Sequence, residues 1–252
     1  MDMAYNEDEM TRMRINKFIS ASGPISRRKA DELIRQQRVL INSRTAKIGE
    51  VVDTEKDRIS IDGKYLKPGE KYYLVFYKPR FVITTMHDPL SRPCVRDFIP
   101  SGYTGVFPVG RLDFDARGLI ILTNDGDFAH ILHHPSYGIP KKYRVFLRPE
   151  ATRESIEMMS KGIFLDGKKV RMYHVKVLCN CNKGTKVELV LHQGMKNQIK
   201  RMVRAVGLDV VDIKRISIGP VSIGSMKPGD IRPLRRKELD DIYNLLKRHK
   251  ET

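Results

Sequence analysis

The stretch Gly110-Arg111-Leu112-Asp113-Phe114-Asp115-Ala116-Arg117-Gly118 holds a carboxylate between two guanidinium groups, Arg111 and Arg117. It runs straight into the apolar segment Leu119-Ile120-Ile121-Leu122-Thr123. A turn feeding a buried-type strand can present a reactive acid at a fixed place. Nearby positive charge favours the ionised form of an aspartate, and an ionised aspartate in a cleft can serve as nucleophile or base. The plain alternative is a surface turn with solvated charges, and these residues alone weigh the two evenly.

Other residue types that could do chemistry are weaker. Cys94, Cys179 and Cys181 make no disulfide framework, and Cys179-Asn180-Cys181 lacks the second pair and the spacing of a zinc site. His130, His133 and His134 cluster without an acidic partner to complete a metal motif, so no metal is expected. A net charge of +17 over 252 residues points to a polyanionic partner, nucleic acid before membrane. Tryptophan is absent, so base stacking would fall to Tyr, Phe, His or Arg. No run approaches a membrane span, and the acidic start lacks the pattern of a secretory or transit signal, so a soluble cytoplasmic protein is expected.

The elements that must position these groups follow from periodicity. Residues 1–12 read as a loose tail. Ile15, Phe18 and Ile19 at i, i+3, i+4 predict a short helix stopped by Gly23-Pro24. Ser26 reads as the N-cap of a second helix with Ala30, Leu33 and Ile34 on its apolar face. The first turn of that helix, Arg27-Arg28-Lys29, puts cations where the macrodipole disfavours them but where phosphate would be welcome. Arg38–Asn42, Ile48–Val52 and Arg58–Asp62 predict strands. Residues 14–47 carry nine Lys/Arg against two Asp/Glu. Lys67-Pro68-Gly69-Glu70 marks a boundary.

Beyond it, Tyr72–Tyr77, Lys141–Leu147, Lys169–Leu178, Lys186–His192 and Val210–Lys214 read as strands, and Asp125-Gly126-Asp127 opens a short helix ending near His133. Thr152 caps a helix to Ser160. Ile199, Met202, Val203 and Val206 set the buried face of a helix over Gln198–Val206 that carries Lys200, Arg201 and Arg204 elsewhere, with Lys196 just before it. Leu239, Ile242, Tyr243 and Leu246 mark a last amphipathic helix.

Gly110-Arg111-Leu112-Asp113, followed at a fixed interval by Gly118-Leu119 and the run to Leu122-Thr123-Asn124, resembles the catalytic motif of RNA pseudouridine synthases, in the branch containing RsuA, RluB, RluE and RluF. Lys141-Lys142-Tyr143-Arg144-Val145 resembles that family's Lys-x-Tyr-x-Val motif, and Gln193–Met202 resembles a third motif in which Gln-Ile-Arg-Arg-Met is usual. Arg14–Ile19, Ser26–Asp31 and Val39–Asn42 resemble the S4 RNA-binding module. Departures from the family are Ala116 for a hydroxyl residue, Phe81 for a glycine, Lys200 for the common Arg, and Asn197 for a basic residue or His.

The resemblance implies an α+β chain: an S4-like RNA-binding domain over 13–66, then a catalytic domain over 71–247. The catalytic sheet would be mixed, mainly antiparallel and in two halves meeting near Gly138-Ile139-Pro140, with Asp113 in the cleft between them. It implies isomerisation of a uridine in ribosomal RNA, tilted towards the large subunit, with no cofactor and no metal; a monomer is expected. Asp113 would be nucleophile or base. Lys200, or Arg201 as fallback, would hold its carboxylate, Tyr143 would pack on the uracil, and Arg111 would fill the space of the extruded nucleotide. Arg14, Lys17, Arg27, Arg28, Lys29, Arg38, Lys196 and Arg204 would contact RNA. The competing reading is a non-catalytic RNA-binding assembly factor of the same fold; a DNA-binding regulator fits less well.

Overall fold

The computed structural model describes residues 12–181 and 184–250, with the side chains of 247–250 left out. The expected tail over 1–12 therefore lies outside the described residues except for Arg12, which opens a strand. The chain forms two compact units. One comprises residues up to Tyr72 with Pro100–Phe107 and Thr123–Gly126. The other comprises Tyr73–Ile99, Pro108–Leu122 and the rest from Asp127.

In the first unit β1 (Arg12–Arg14) leads into α1 (Ile15–Ala21) and α2 (Arg27–Arg35). Ser26 caps α2 by accepting from the Lys29 backbone N–H at 3.2 Å, which satisfies one of the free donors of the first turn. The strands are β2 (Val39–Ile41), β3 (Arg44–Thr45), β4 (Val51–Asp53), β5 (Ile59–Ile61) and β6 (Lys64–Tyr65). β3-β2-β5-β6 form one sheet, and β1 pairs with β4. Ile15, Phe18, Ile19, Ala30, Leu33 and Ile34 bury against Val39, Ile41 and Ile59, as their spacing requires. The strand expected over Ile48–Val52 begins only at Val51, because Gly49 takes a positive φ of 78° inside a turn.

The second unit is built on β7 (Tyr73–Lys78), β8 (Phe107–Val109), β9 (Arg117–Thr123), β10 (Lys141–Arg148), β11 (Ile163–Leu165), β12 (Lys168–Val170), β13 (Tyr173–Cys181), β14 (Gly184–Leu191), β15 (Asp209–Ile218), β16 (Val221–Ser222) and β17 (Ile231–Pro233). Its helices are α3 (Gly126–His133), α4 (Arg153–Lys161), α5 (Gln198–Ala205) and α6 (Arg236–Lys250). The sheet runs β13-β14-β10-β15-β9-β7-β17, with β16 on β15 and β8 on β9. β13–β14, β14–β10, β10–β15 and β7–β17 pair antiparallel, whereas β15–β9 pairs parallel, Lys214 opposite Arg117 and Arg215 opposite Gly118. That parallel seam joins the two halves. Gly138-Ile139-Pro140 lies between α3 and β10, where the Pro140 carbonyl accepts from the Gly219 N–H at 2.7 Å. The single strand expected over Lys169–Leu178 is two, β12 and β13, because β12 turns back on β11 in a hairpin.

Gly118 explains why the seam can close. Its φ is +116°, and a Cβ there would stand 2.2 Å from the Arg215 carbonyl oxygen and 2.6 Å from its nitrogen. Only glycine permits this approach. The apolar run after it buries completely, Leu119, Ile120, Ile121 and Leu122 all at 0% exposure, so the turn before it hangs from a rigid strand.

Candidate active site

Asp113 sits in the turn that β9 leaves behind, closed by the Ala116 N–H donating to the Asp113 carbonyl at 3.1 Å. Buried Thr84 pins this turn from beside it: its hydroxyl donates to the Leu112 carbonyl at 2.7 Å and accepts from the Leu112 N–H at 3.2 Å. The turn opens onto a cleft of about 520 Å³ whose lining includes Arg111, Asp113, Lys141, Tyr143, Lys200 and Arg215. β10 and β15 supply its floor, and the loop before α5 together with the first turn of α5 supplies one wall.

The two guanidinium groups flanking Asp113 in sequence do not pair with it. Arg117 grips Asp212, with its Nη2 at 2.7 Å and its Nε at 3.2 Å. The reason is the parallel seam: Arg117 stands opposite Lys214, and Asp212, two residues upstream, faces the same side of β15. Arg111 lines the cleft and has no carboxylate partner among the described residues. The cation beside the acid comes instead from α5. Lys200 Nζ is 3.8 Å from Asp113 Oδ2 but 2.6 and 2.7 Å from the two oxygens of Asp115. One ammonium thus serves two carboxylates, Asp115 most closely. Burial raises the Asp115 pKa, and the hydrogen bond and charge of Lys200 outweigh it, leaving that carboxyl below its usual value.

Asp113 is held by a different residue. Asn197, at the N-cap of α5, adopts a left-handed φ of 53°, which asparagine tolerates better than most side chains. With its amide nitrogen towards the acid it donates to Asp113 Oδ2 at 2.9 Å and Oδ1 at 3.1 Å. The reverse orientation would set oxygen against oxygen. Gln198, nearly buried, accepts from the Met195 N–H at 3.0 Å and so fixes the loop that presents Asn197.

Arg201 is the correction among the expected partners of Asp113. Its guanidinium forms a bidentate pair with Asp166 at 2.6 and 2.8 Å, on the turn of the β11–β12 hairpin. Adjacent helix positions point about 100° apart, so α5 cannot aim Lys200 and Arg201 at one acid. Tyr143, 7% exposed, stands on β10 at the cleft floor. Lys196 lines the same cleft, and Arg204 lines a neighbouring cavity of about 490 Å³ with Asn197, Lys200 and Arg201.

Beneath the site lie three cations that periodicity did not single out. Lys78 is fully buried at the end of β7, where its ammonium donates to the carbonyls of Pro79 at 2.9 Å and Val82 at 2.8 Å. Burial pushes its pKa down to about 8 against the pull of Asp115 and Asp113. Lys141 is likewise lowered to about 8, by burial and then by the charge of Arg215. Arg215, 3% exposed, donates from Nε to the Leu119 carbonyl at 2.7 Å, while its Nη2 is buried without a partner. A buried donor left unpaired is costly, and this one borders the cleft. The local signal for Lys78 is its place directly after the apolar strand Tyr72–Tyr77. Asn197 and Asp115 were visible only as a departure and as a second acid, with nothing local to say what they touch.

In the first unit, Arg14, Arg27, Arg28 and Lys29 are exposed. Arg27 donates to Asn16 Oδ1 at 3.3 Å and Lys29 pairs with Glu32 at 3.0 Å. Arg38 is committed to Asp62 through a bidentate pair. Arg28 and Arg14 have no carboxylate partner among the described residues, and Lys17 lies half-buried on α1. Among the described residues no group of three His, Cys, Asp or Glu is arranged to hold a metal, and no helix is long and apolar enough to cross a membrane.

The family described as RNA pseudouridylate synthase matches residues 72–205, and the S4 domain matches residues 13–59. The ribosomal large subunit pseudouridine synthase B of Bacillus subtilis is 35% identical over 92% of this chain and 96% of its own length. A protein of Aquifex aeolicus bearing the name RNA pseudouridine synthase is 36% identical over 93% of this chain and 95% of its own. A crystal structure of a pseudouridylate synthase superposes with a TM-score of 0.63 at 30% identity, covering 91% of this chain and 99% of that one.

Proposed function

The chain belongs to the RNA pseudouridylate synthase family and carries an S4 domain, and on that premise we propose that it isomerises a uridine of ribosomal RNA, in the large subunit, with Asp113 as the reacting acid. The large-subunit assignment leans on the name of the Bacillus subtilis relative. The reaction breaks the N1–C1′ bond, turns the uracil, joins C5 to C1′ and releases the C5 proton, so no atom is gained or lost from the nucleotide apart from hydrogen exchanged with solvent.

The observation that carries this reading is the Asp113 carboxylate held at the mouth of the cleft, with Asn197 on both oxygens and Lys200 beside it. Such fixed donors keep a carboxylate oriented. Asp113 then attacks C1′ or removes the proton that starts glycal formation. Tyr143 packs on the uracil and assists removal of the C5 proton. Arg215, with its unpartnered Nη2, offers a donor to an acceptor on the nucleotide. Arg111 occupies the space the target base leaves, because a stacked base must swing out to be processed. Lys196 and Arg204, together with Arg14, Lys17, Arg27, Arg28, Lys29 and Arg38 of the S4-like domain, supply phosphate contacts and hence salt-sensitive affinity. Its domains span 13–66 and 71–247, and the enzyme works as a cytoplasmic monomer that needs neither metal nor cofactor.

Tritium release from large-subunit rRNA transcripts labelled at uracil C5 tests it. Wild-type protein is expected to release tritium in EDTA, and Asp113→Asn to release none while keeping its RNA affinity within about twofold. Turnover surviving in Asp113→Asn would overturn the role of Asp113. Absence of turnover in the wild type on every rRNA transcript would favour an RNA-binding assembly factor of the same fold.

A further inference from the structure

Beside the catalytic turn lies a pair of aromatic rings that neither the core nor the chemistry uses. Phe81 is 57% exposed and Phe114 is 49% exposed. Their ring centroids are 5.5 Å apart at an interplanar angle of 58°. The Phe81 N–H donates to the Phe114 carbonyl at 2.6 Å, so the loop after β7 is tied directly to the turn that carries Asp113. The Arg80 guanidinium stands 5.2 Å from the Phe81 ring centroid, and its Nε donates to the Asp115 carbonyl at 3.1 Å.

Phe81 also has a φ of +62°, a conformation that glycine enters freely and a bulky side chain rarely does. Strain of this kind usually persists where it serves a function. Burial does not repay it here, since more than half of Phe81 faces solvent. What the side chain gains by standing there is a ring held outward, next to a second ring and a cation.

We propose that Phe81, Phe114 and Arg80 form a stacking platform for an unpaired base of the RNA beside the target uridine. Phe114 follows Asp113 directly, with α-carbons about 3.8 Å apart, so a base on its ring belongs to the same stretch of strand as the reacting nucleotide. Every nucleobase has a π face, and aromatic side chains with an arginine recognise it with little regard to sequence. The chain has no tryptophan, which leaves phenylalanine and tyrosine to do this. A protein partner would also value exposed rings. The cation beside them and the adjoining RNA cleft favour a nucleobase. The platform rests on the reading of the cleft as an RNA site and adds a subsite to it.

The test uses the full chain and large-subunit rRNA transcripts. Phe81→Gly and Phe114→Ala are each expected to raise KM about tenfold with kcat unchanged, within the range that loss of one stacked base produces. Phe81→Tyr, which keeps the ring, should restore the wild-type KM. Phe81→Gly should unfold at the same temperature as the wild type or higher, because it relieves the backbone, which separates lost affinity from lost structure. Transcripts carrying 4-thiouridine should photo-crosslink to peptides containing Phe81 and Phe114. Unchanged KM in both variants, or crosslinks confined to other peptides, overturns the platform. Tritium release failing in the wild type is a failure of the catalytic reading instead, and the crosslinks then decide the platform separately.

Discussion

Apart from the half-buried Lys17, the described cations of the N-terminal unit lie on its outside, over a core that is apolar throughout its main cluster, from Ile15 and Phe18 to Ile59 and Ile61. The catalytic unit does the opposite with two of its cations: it buries Lys78 and Arg215 near the acid-bearing turn, with Lys141 half-buried beside Arg215. Exposed charges cost little to keep and are strongly screened by salt, so they suit long-range attraction to a polyanion. Buried charges are expensive and act at short range, so they suit the orientation of one small group. The same residue types therefore perform different work in the two units, and burial decides which.

The largest expected effect comes from the seam that lets the catalytic unit assemble. Gly118→Ala should lower its stability by about 3 kcal/mol or more, since a methyl group would enter the backbone of Arg215. A two-step urea transition with only one step shifted would show that the N-terminal unit is indifferent to the seam. A single shifted transition would mean that the two units unfold together.

Next is the ammonium shared by two carboxylates. Lys200→Met should reduce kcat by about a hundredfold, with RNA affinity changed less than about threefold. An equal loss in affinity would make Lys200 an RNA contact of the same kind as the surface cations of the N-terminal unit.

A smaller effect separates the units by pH. Lys78 has a folded pKa of about 8, below the 10.5 of the free side chain. Below pH 8 both states hold the proton and the folded state bears the full cost of burying charge. As pH rises from 8 to 10.5 the unfolded chain binds more protons than the folded one, so stability increases. Relative to Lys78→Met, wild-type stability should gain about 2 kcal/mol between pH 8 and 9.5, read from urea midpoints. No gain would mean that the amine stays protonated in its carbonyl cage.

The mildest effect belongs to the surface. Arg27→Glu with Arg28→Glu should raise KM by about tenfold without altering kcat, and flatten the salt dependence of RNA binding by about two counterions. A fall in kcat would remove the contrast between the two units.

Much of this was legible beforehand where the information is local. The buried faces of α1, α2 and α5 follow from spacing alone, and the caps Ser26 and Thr152 both accept the backbone N–H three residues on. The position of Asp113 ahead of a buried strand was equally plain. The ionic partners were not. Arg117 and Arg111 flank Asp113 in sequence, yet Arg117 is taken by Asp212, and Arg201 by Asp166. Phe81 in place of the family's glycine was visible as a departure, but its positive φ shows that the loop keeps the glycine-like bend with a side chain attached.

The amino-acid order by itself determined the elements, their buried faces and the acid that stands before β9, because periodicity and turn chemistry act over a few neighbouring residues. Only the tertiary structure decided what that acid touches. Lys200 reaches Asp115 across 85 positions, and Asn197 reaches Asp113 from the start of the same helix. Which cation meets which carboxylate depends on the neighbours each strand and helix acquires on packing, and a charge at the surface of its own segment has no local signal to choose among them.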